Sequence, residues 1–206
     1  TFDHGHHMWC VAWYLLGEID RVSAWIDSAD EIVDCPANII WKYKDGVRYG
    51  SCDYTHCWDM HMPSDYYAND EWFEITGSRG IILVNRATGK LRTGPVLSHF
   101  DGTRWNHFDD IDSDWATGFV NATQNFIAAI KGREEPLLTG EQARGILKIA
   151  LAIIKSSNQR REVFVDEMGR PDADEYAADR REQEIKAASG RKGLTIDELK
   201  ERGRIL

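Results

Sequence analysis

Glu74-Ile75-Thr76-Gly77-Ser78-Arg79-Gly80-Ile81-Ile82-Leu83-Val84 decides the fold class of this chain. Glu71 to Thr76 reads as a strand, Gly77-Ser78-Arg79-Gly80 as a tight turn and Ile81 to Val84 as a second strand. Ile81 to Val84 is apolar at every position, so that strand is expected to be central, with side chains covered on both faces. Upstream, Asn38 to Lys44 and Val47 to Cys57 read as another hairpin around Lys44-Asp45-Gly46, preceded by a strand at Arg21 to Ile26. Downstream, Thr88-Gly89-Lys90 turns the chain and Lys90 to Phe100 reads as extended. Strands joined by short turns point to antiparallel pairing.

Helical spacing frames these strands. Val11, Ala12, Leu15 and Leu16 share one face of a first helix that ends at Gly17. Trp115, Phe119, Ala122, Phe126 and Ile130 recur at steps of three and four, and Gly132 closes that helix. Thr139 with Gln142 forms a capping box ahead of Ala143, Ile146, Leu147, Ala150, Leu151 and Ile154. Glu162 to Val165 reads as a closing strand. The expected fold is α+β: an open, mostly antiparallel or mixed sheet of five to seven strands with helices 1–16, 113–131 and 140–156 on one face. The other sheet face, with Trp25, Trp41, Tyr43 and Tyr49, is then an expected oligomer interface, giving a homodimer or tetramer.

The chain has 206 residues, 42% hydrophobic and 29% charged, with a formal net charge of −9. That is a globular composition with one main core expected. The acidic balance argues against a broad nucleic-acid surface, and no apolar run approaches the roughly 20 residues that cross a bilayer. Thr1-Phe2-Asp3-His4 lacks the pattern of a signal peptide. Cys10, Cys35, Cys52 and Cys57 form no C-x-x-C pair, so free thiols in a reducing cytoplasm are expected over a metal ribbon or disulfides. From Asp166 onward charge rises and apolar residues thin out, so 166–206 reads as a solvated arm, or as one that wraps a neighbouring subunit.

Chemistry concentrates at the start. Asp3 and His7, four residues apart on a helix, share one face. A carboxylate beside an imidazole fixes its tautomer and raises its basicity, as a general acid/base near neutral pH requires. The same spacing also suits a surface ion pair. His4-Gly5-His6-His7 invites a third reading, in which Asp3 and His7, with His56 or His61, make a two-His-one-carboxylate metal centre of a metal-assisted isomerase or lyase, but the spacing does not demand one and no metal is expected. The segment His56 to Asn69 is rich in His, Asp, Met and aromatic residues and reads as a loop; Trp58, Asp59 and His61 have the chemistry to contact a sugar.

Asp3-x-x-x-His7, Trp13 to Glu18, Asp34-Cys35-Pro36-Ala37, the glycine hairpin at 74–82, Asn85-Arg86, Asp114-Trp115 to Phe126 and Leu138 to Arg144 follow one another in a familiar order. The chain thereby resembles the C-terminal domain of the glucose-fructose oxidoreductase / inositol dehydrogenase (Gfo/Idh/MocA) family over residues 1 to about 165. The resemblance implies an NAD(P)-dependent oxidoreductase acting on sugars or polyols, with His7 as the proton-transfer group and Asp3 orienting the substrate hydroxyl. It also implies an N-terminal nucleotide-binding domain as partner. The glycine-rich strand-to-helix turn and the Glu-Lys-Pro motif of that domain are absent from the sequence. The expectation is therefore a substrate-side half-enzyme that binds no NAD or NADP by itself. The alternative is a stand-alone sugar-binding or oligomerisation domain in which Asp3 and His7 have no catalytic role.

Overall fold

The computed structural model describes residues 5–27, 35–55, 71–85 and 94–169. In chain order the described elements are α1 (Gly5–Leu16), β1 (Ile19–Ile26), β2 (Ala37–Tyr43), β3 (Tyr49–Tyr54), β4 (Phe73–Gly77), β5 (Gly80–Val84), β6 (Leu97–Phe100), β7 (Trp105–Phe108), α2 (Trp115–Ile130), α3 (Gly140–Gln159) and β8 (Val163–Phe164). A 3-10 turn at Val165–Glu167 follows. The chain divides into two units, one from residues 1–56 with 140–206 and one from 57–139.

In the first unit the strand order is β3-β2-β1-β8, all antiparallel. Alternation along β2 sends Ala37, Ile39, Trp41 and Tyr43 to a buried face, where Val22 and Ala24 of β1 lie beside Trp41 and Ile39. Helix α3 supplies the opposing surface through Ile146, Ile149, Ala150 and Ile153, the spacing of one helical face. Ile39, Ile149 and Ile153 are wholly buried, each worth about 1.5–3 kcal/mol of transfer free energy. Trp25 and Tyr49 lie on the other face and remain 63% and 67% exposed. The expected exposed set is thus corrected: Trp41 and Tyr43 are core residues, because they share the parity of Ile39, while only Trp25 and Tyr49 face outward.

Strand β8 pairs with β1 only at Arg21 and Val22, so β1 needs other partners further along. Helix α3 supplies them. The Ala24 and Ile26 amides donate to the Ser156 and Ser157 hydroxyls, both at 3.0 Å. Ser156 is 1% exposed and also donates to the Arg161 carbonyl at 2.6 Å. Ser156→Ala leaves the Ala24 N–H buried without that acceptor and is expected to cost about 1–3 kcal/mol in urea unfolding. A change under ~0.3 kcal/mol, well below that penalty, would contradict this edge assignment.

Glu167 closes the same end of the unit. It accepts from the Arg161 guanidinium at 2.6 Å and from the Phe164 amide at 3.0 Å, with Lys155 at 3.6 Å. The Arg161 hydrogen bond, then the Phe164 amide, pull its carboxyl from 4.5 down to about 2. A depressed carboxyl contributes stability that is full above the unfolded value and is lost as pH falls from about 4.5 toward about 2. Glu167→Gln is expected to flatten the fall of the urea midpoint across that window; an unchanged pH profile would contradict the clasp.

The second unit contains a meander, β4-β5-β6-β7, antiparallel throughout. The opening hairpin is present, with Gly77 paired to Gly80 across Ser78-Arg79, and β5 is an internal strand as expected. Glycine is required at 80 because a β-carbon there would stand 2.1 Å from the Phe100 carbonyl oxygen. Lys90 to Phe100 is strand only from Leu97, residues 86–93 lying outside the described ones. Strand β7 is additional to the expected set. It is set up by Asp101, whose Oδ1 accepts from the Thr103 and Arg104 amides at 2.9 and 3.0 Å and whose Oδ2 accepts from Asn106. The Thr103 hydroxyl and these amides hold the Asp101 carboxyl well below the usual carboxylate range.

The α+β class and antiparallel pairing are as expected, but the strands form two four-stranded sheets in place of one open sheet. Sequence shows which segments are extended, not which edges pair, and here pairing stops at β3 and restarts at β4. Helix α2 starts on Asp114, whose side chain accepts from the Ala116 amide at 2.9 Å, and Gly132 at φ +65° follows its end. Its expected apolar stripe is not buried, since Phe119, Phe126 and Ile130 are 58%, 65% and 71% exposed. Within the first unit α1 and α3 pack together, with α3 on β1, as expected, while α2 belongs to the second unit. Among the described residues no helix is long and apolar enough to cross a membrane.

Candidate active site

His7 lies in the first turn of α1 with its side chain exposed, two residues before the fully buried Trp9. Trp9 stands edge-on to Trp41 with ring centroids 5.6 Å apart, so the helix is pinned to the sheet directly beneath its first turn. One turn on, the Ala12 carbonyl accepts from the buried Tyr43 hydroxyl at 3.4 Å. Burial pushes the Tyr43 phenol up, which keeps it protonated as a donor. The helix ends where Gly17, at φ +89°, donates from its amide to the Trp13 carbonyl. The Arg48 guanidinium donates to the Leu16 carbonyl at 2.7 Å, a cation at the negative end of the helix dipole.

The result is a rigid helix that presents an imidazole to solvent at its first turn. Such a group is open to a ligand. Of the other expected site residues, Asp3, Trp58, Asp59 and His61 lie outside the described residues, as does His56. His6 is exposed beside His7, their rings 6.1 Å apart. Arg48, Trp9 and Tyr43 belong to the support of this turn and carry no motif signal. Only the coincidence of an aromatic-rich helix with aromatic β2 hints at them.

Gly77 and Gly80 join one strand to another, so they form no strand-to-helix phosphate cradle. Among the described residues no group of three His, Cys, Asp or Glu is placed to hold a metal ion. Burial pushes the Cys10 and Cys35 thiols up, away from nucleophilic character. An open depression of 520 Å³ surrounds the β4–β5 turn, with Arg79, His99 and Asp101 at its rim.

An α+β domain with its acid/base candidate on an N-terminal helix is the class that fold and site define. Residues 1–165 match the oxidoreductase family, C-terminal alpha/beta domain, and the chain belongs to this Gfo/Idh/MocA family. Solved structures share the fold. The WlbA dehydrogenase of Bordetella pertussis, in complex with NADH and UDP-GlcNAcA, is 16% identical with a TM-score of 0.56, covering 79% of this chain and 45% of that one. Levoglucosan dehydrogenase, in complex with NADH and levoglucosan, is 20% identical with a TM-score of 0.59, covering 79% and 49%. An oxidoreductase of Agrobacterium radiobacter, in complex with NAD+, L-tartaric acid and magnesium, is 14% identical with a TM-score of 0.65, covering 81% and 49%. This chain therefore spans about half the length of each, between 45% and 49%. A search of curated proteins returned no match.

Proposed function

We propose that this chain is the substrate-binding and proton-transfer half of an NAD(P)-dependent sugar or polyol oxidoreductase. The observation that supports this reading is the family match over residues 1–165, and His7 stands exposed in the first turn of α1. The three solved relatives described above support it, having been captured with a nicotinamide cofactor and a hydroxylated ligand. His7 takes the proton of a substrate hydroxyl as its carbon is oxidised, and Asp3 orients that hydroxyl. Trp58, Asp59 and His61 contact the sugar. NAD or NADP is the hydride acceptor of the joined enzyme, and no step at the cofactor is assigned to this chain.

Residues 1–165 act as the substrate domain and 166–206 as a charged arm. The face bearing Trp25 and Tyr49 joins copies into a dimer or tetramer, and a monomer by light scattering at micromolar concentration would contradict that. The compartment proposed is the cytoplasm, testable by cell fractionation. The functional test supplies a nucleotide-binding domain of the family in cis and follows reduction of NAD+ and NADP+ over a panel of polyols and anhydrosugars. Turnover only in the joined protein supports the reading. Turnover by the 206-residue chain alone would overturn it.

A further inference from the structure

We propose that Gly145, in α3, is a positioning residue for His7. Glycine inside a helix is disfavoured relative to alanine, so its presence within α3 calls for a local reason. The reason is Trp13. A β-carbon on Gly145 would stand 2.2 Å from Cη2 and 2.4 Å from Cζ3 of the Trp13 indole. The distal ring of Trp13 is seated on the backbone of α3, in the notch that the missing side chain leaves.

Trp13 is half-buried and packs against the core beneath α1. On the sheet side, α1 is held by Trp9, wholly buried and edge-on to Trp41. Trp41 in turn lies over Gly50, where a β-carbon would come within 2.1 Å of the ring. Gly5 completes the wedge, since a β-carbon there would stand 2.9 Å from the Trp9 Nε1. A side chain at 145 therefore presses on the Trp13 ring and, through it, on α1. His7 precedes Trp13 by six residues, about 9 Å along the helix axis, so a shift at Trp13 is carried to the imidazole. A displacement of about 1 Å at a reacting group is enough to cost on the order of 100-fold in rate.

The catalytic consequence rests on His7 being the proton-transfer group; the positional claim does not. Crystal structures of the 206-residue chain and of Gly145→Ala are superposed on β1–β3. The expected result is a His7 Cα displaced by about 1 Å, restored in Gly145→Ala with Trp13→Phe, because phenylalanine lacks the distal ring atoms that collide. An unmoved His7 overturns the proposal, even if Gly145→Ala melts earlier. If Gly145→Ala does not fold, the double variant must fold with His7 in its original place, and failure there overturns it too.

In the joined enzyme, Gly145→Ala is expected to lower kcat by about 10- to 100-fold, with KM changed less than about threefold. Adding Trp13→Phe should return kcat to that of Trp13→Phe alone. A displaced His7 with unchanged kcat overturns the catalytic half of the proposal. If His7→Ala also leaves kcat unchanged, the fault lies with the proton-transfer reading, and the positional claim stands.

Discussion

His7→Ala is expected to lower kcat by about 10²–10⁴-fold in the enzyme that joins this chain to a nucleotide-binding domain, with KM little changed. Removing a positioned acid/base raises the barrier for proton transfer without removing the contacts that hold the substrate. Stability should not follow. The His7 side chain is exposed on the first turn of α1, and surface changes of this kind usually stay within about 0.5 kcal/mol. Urea unfolding of the 206-residue variant checks that arm. A loss under about threefold in kcat would remove His7 from the mechanism and favour a stand-alone binding domain.

The largest stability effect is expected at Ile149. It is wholly buried on the face of α3 that packs toward β1 and β2, among Ile39, Ile146 and Ile153. Ile149→Ala deletes methylene and methyl groups from a close-packed site, and the surrounding helix and sheet can collapse only in part. The expected cost is about 2–5 kcal/mol in urea unfolding followed by circular dichroism. Val47, in the β2–β3 turn, is 87% exposed, so Val47→Ala should change stability by under about 0.5 kcal/mol. Equal effects at the two positions would mean that the core lies elsewhere.

Period was the most legible feature of the sequence. The step of three and four along Phe119, Phe126 and Ile130 located α2, and that along Ile146 and Ala150 located α3. The paired glycines at 77 and 80 located the β4–β5 turn, and the unbroken apolar run at 81–84 marked β5 as internal. Parity was harder. Trp25 and Trp41 look alike in sequence, yet one is exposed and the other buried, because each strand's face depends on its register against β1 or β2. Strand β7 was hidden because Trp105-Asn106-His107-Phe108 has little apolar alternation, and its turn is organised by Asp101 rather than by a glycine pair.

The division into two sheets was not legible, because hydrogen-bonded edges leave no mark in composition. At the candidate site, the place of His7 on a helix could be read from the sequence, whereas the groups that hold that helix could not. Arg48 reaches Leu16, and Trp13 meets Gly145, only when segments far apart in sequence are brought together. Such contacts combine a side chain with a backbone atom or with an absent side chain, and neither leaves a periodic signal.

The most direct test of the half-enzyme account is a titration of the 206-residue chain with NADH and NADPH, following quenching of its eight tryptophans. The account predicts no saturable quenching at micromolar cofactor. Saturable binding at micromolar strength would mean that a nucleotide site exists without a recognisable glycine turn, and would contradict it.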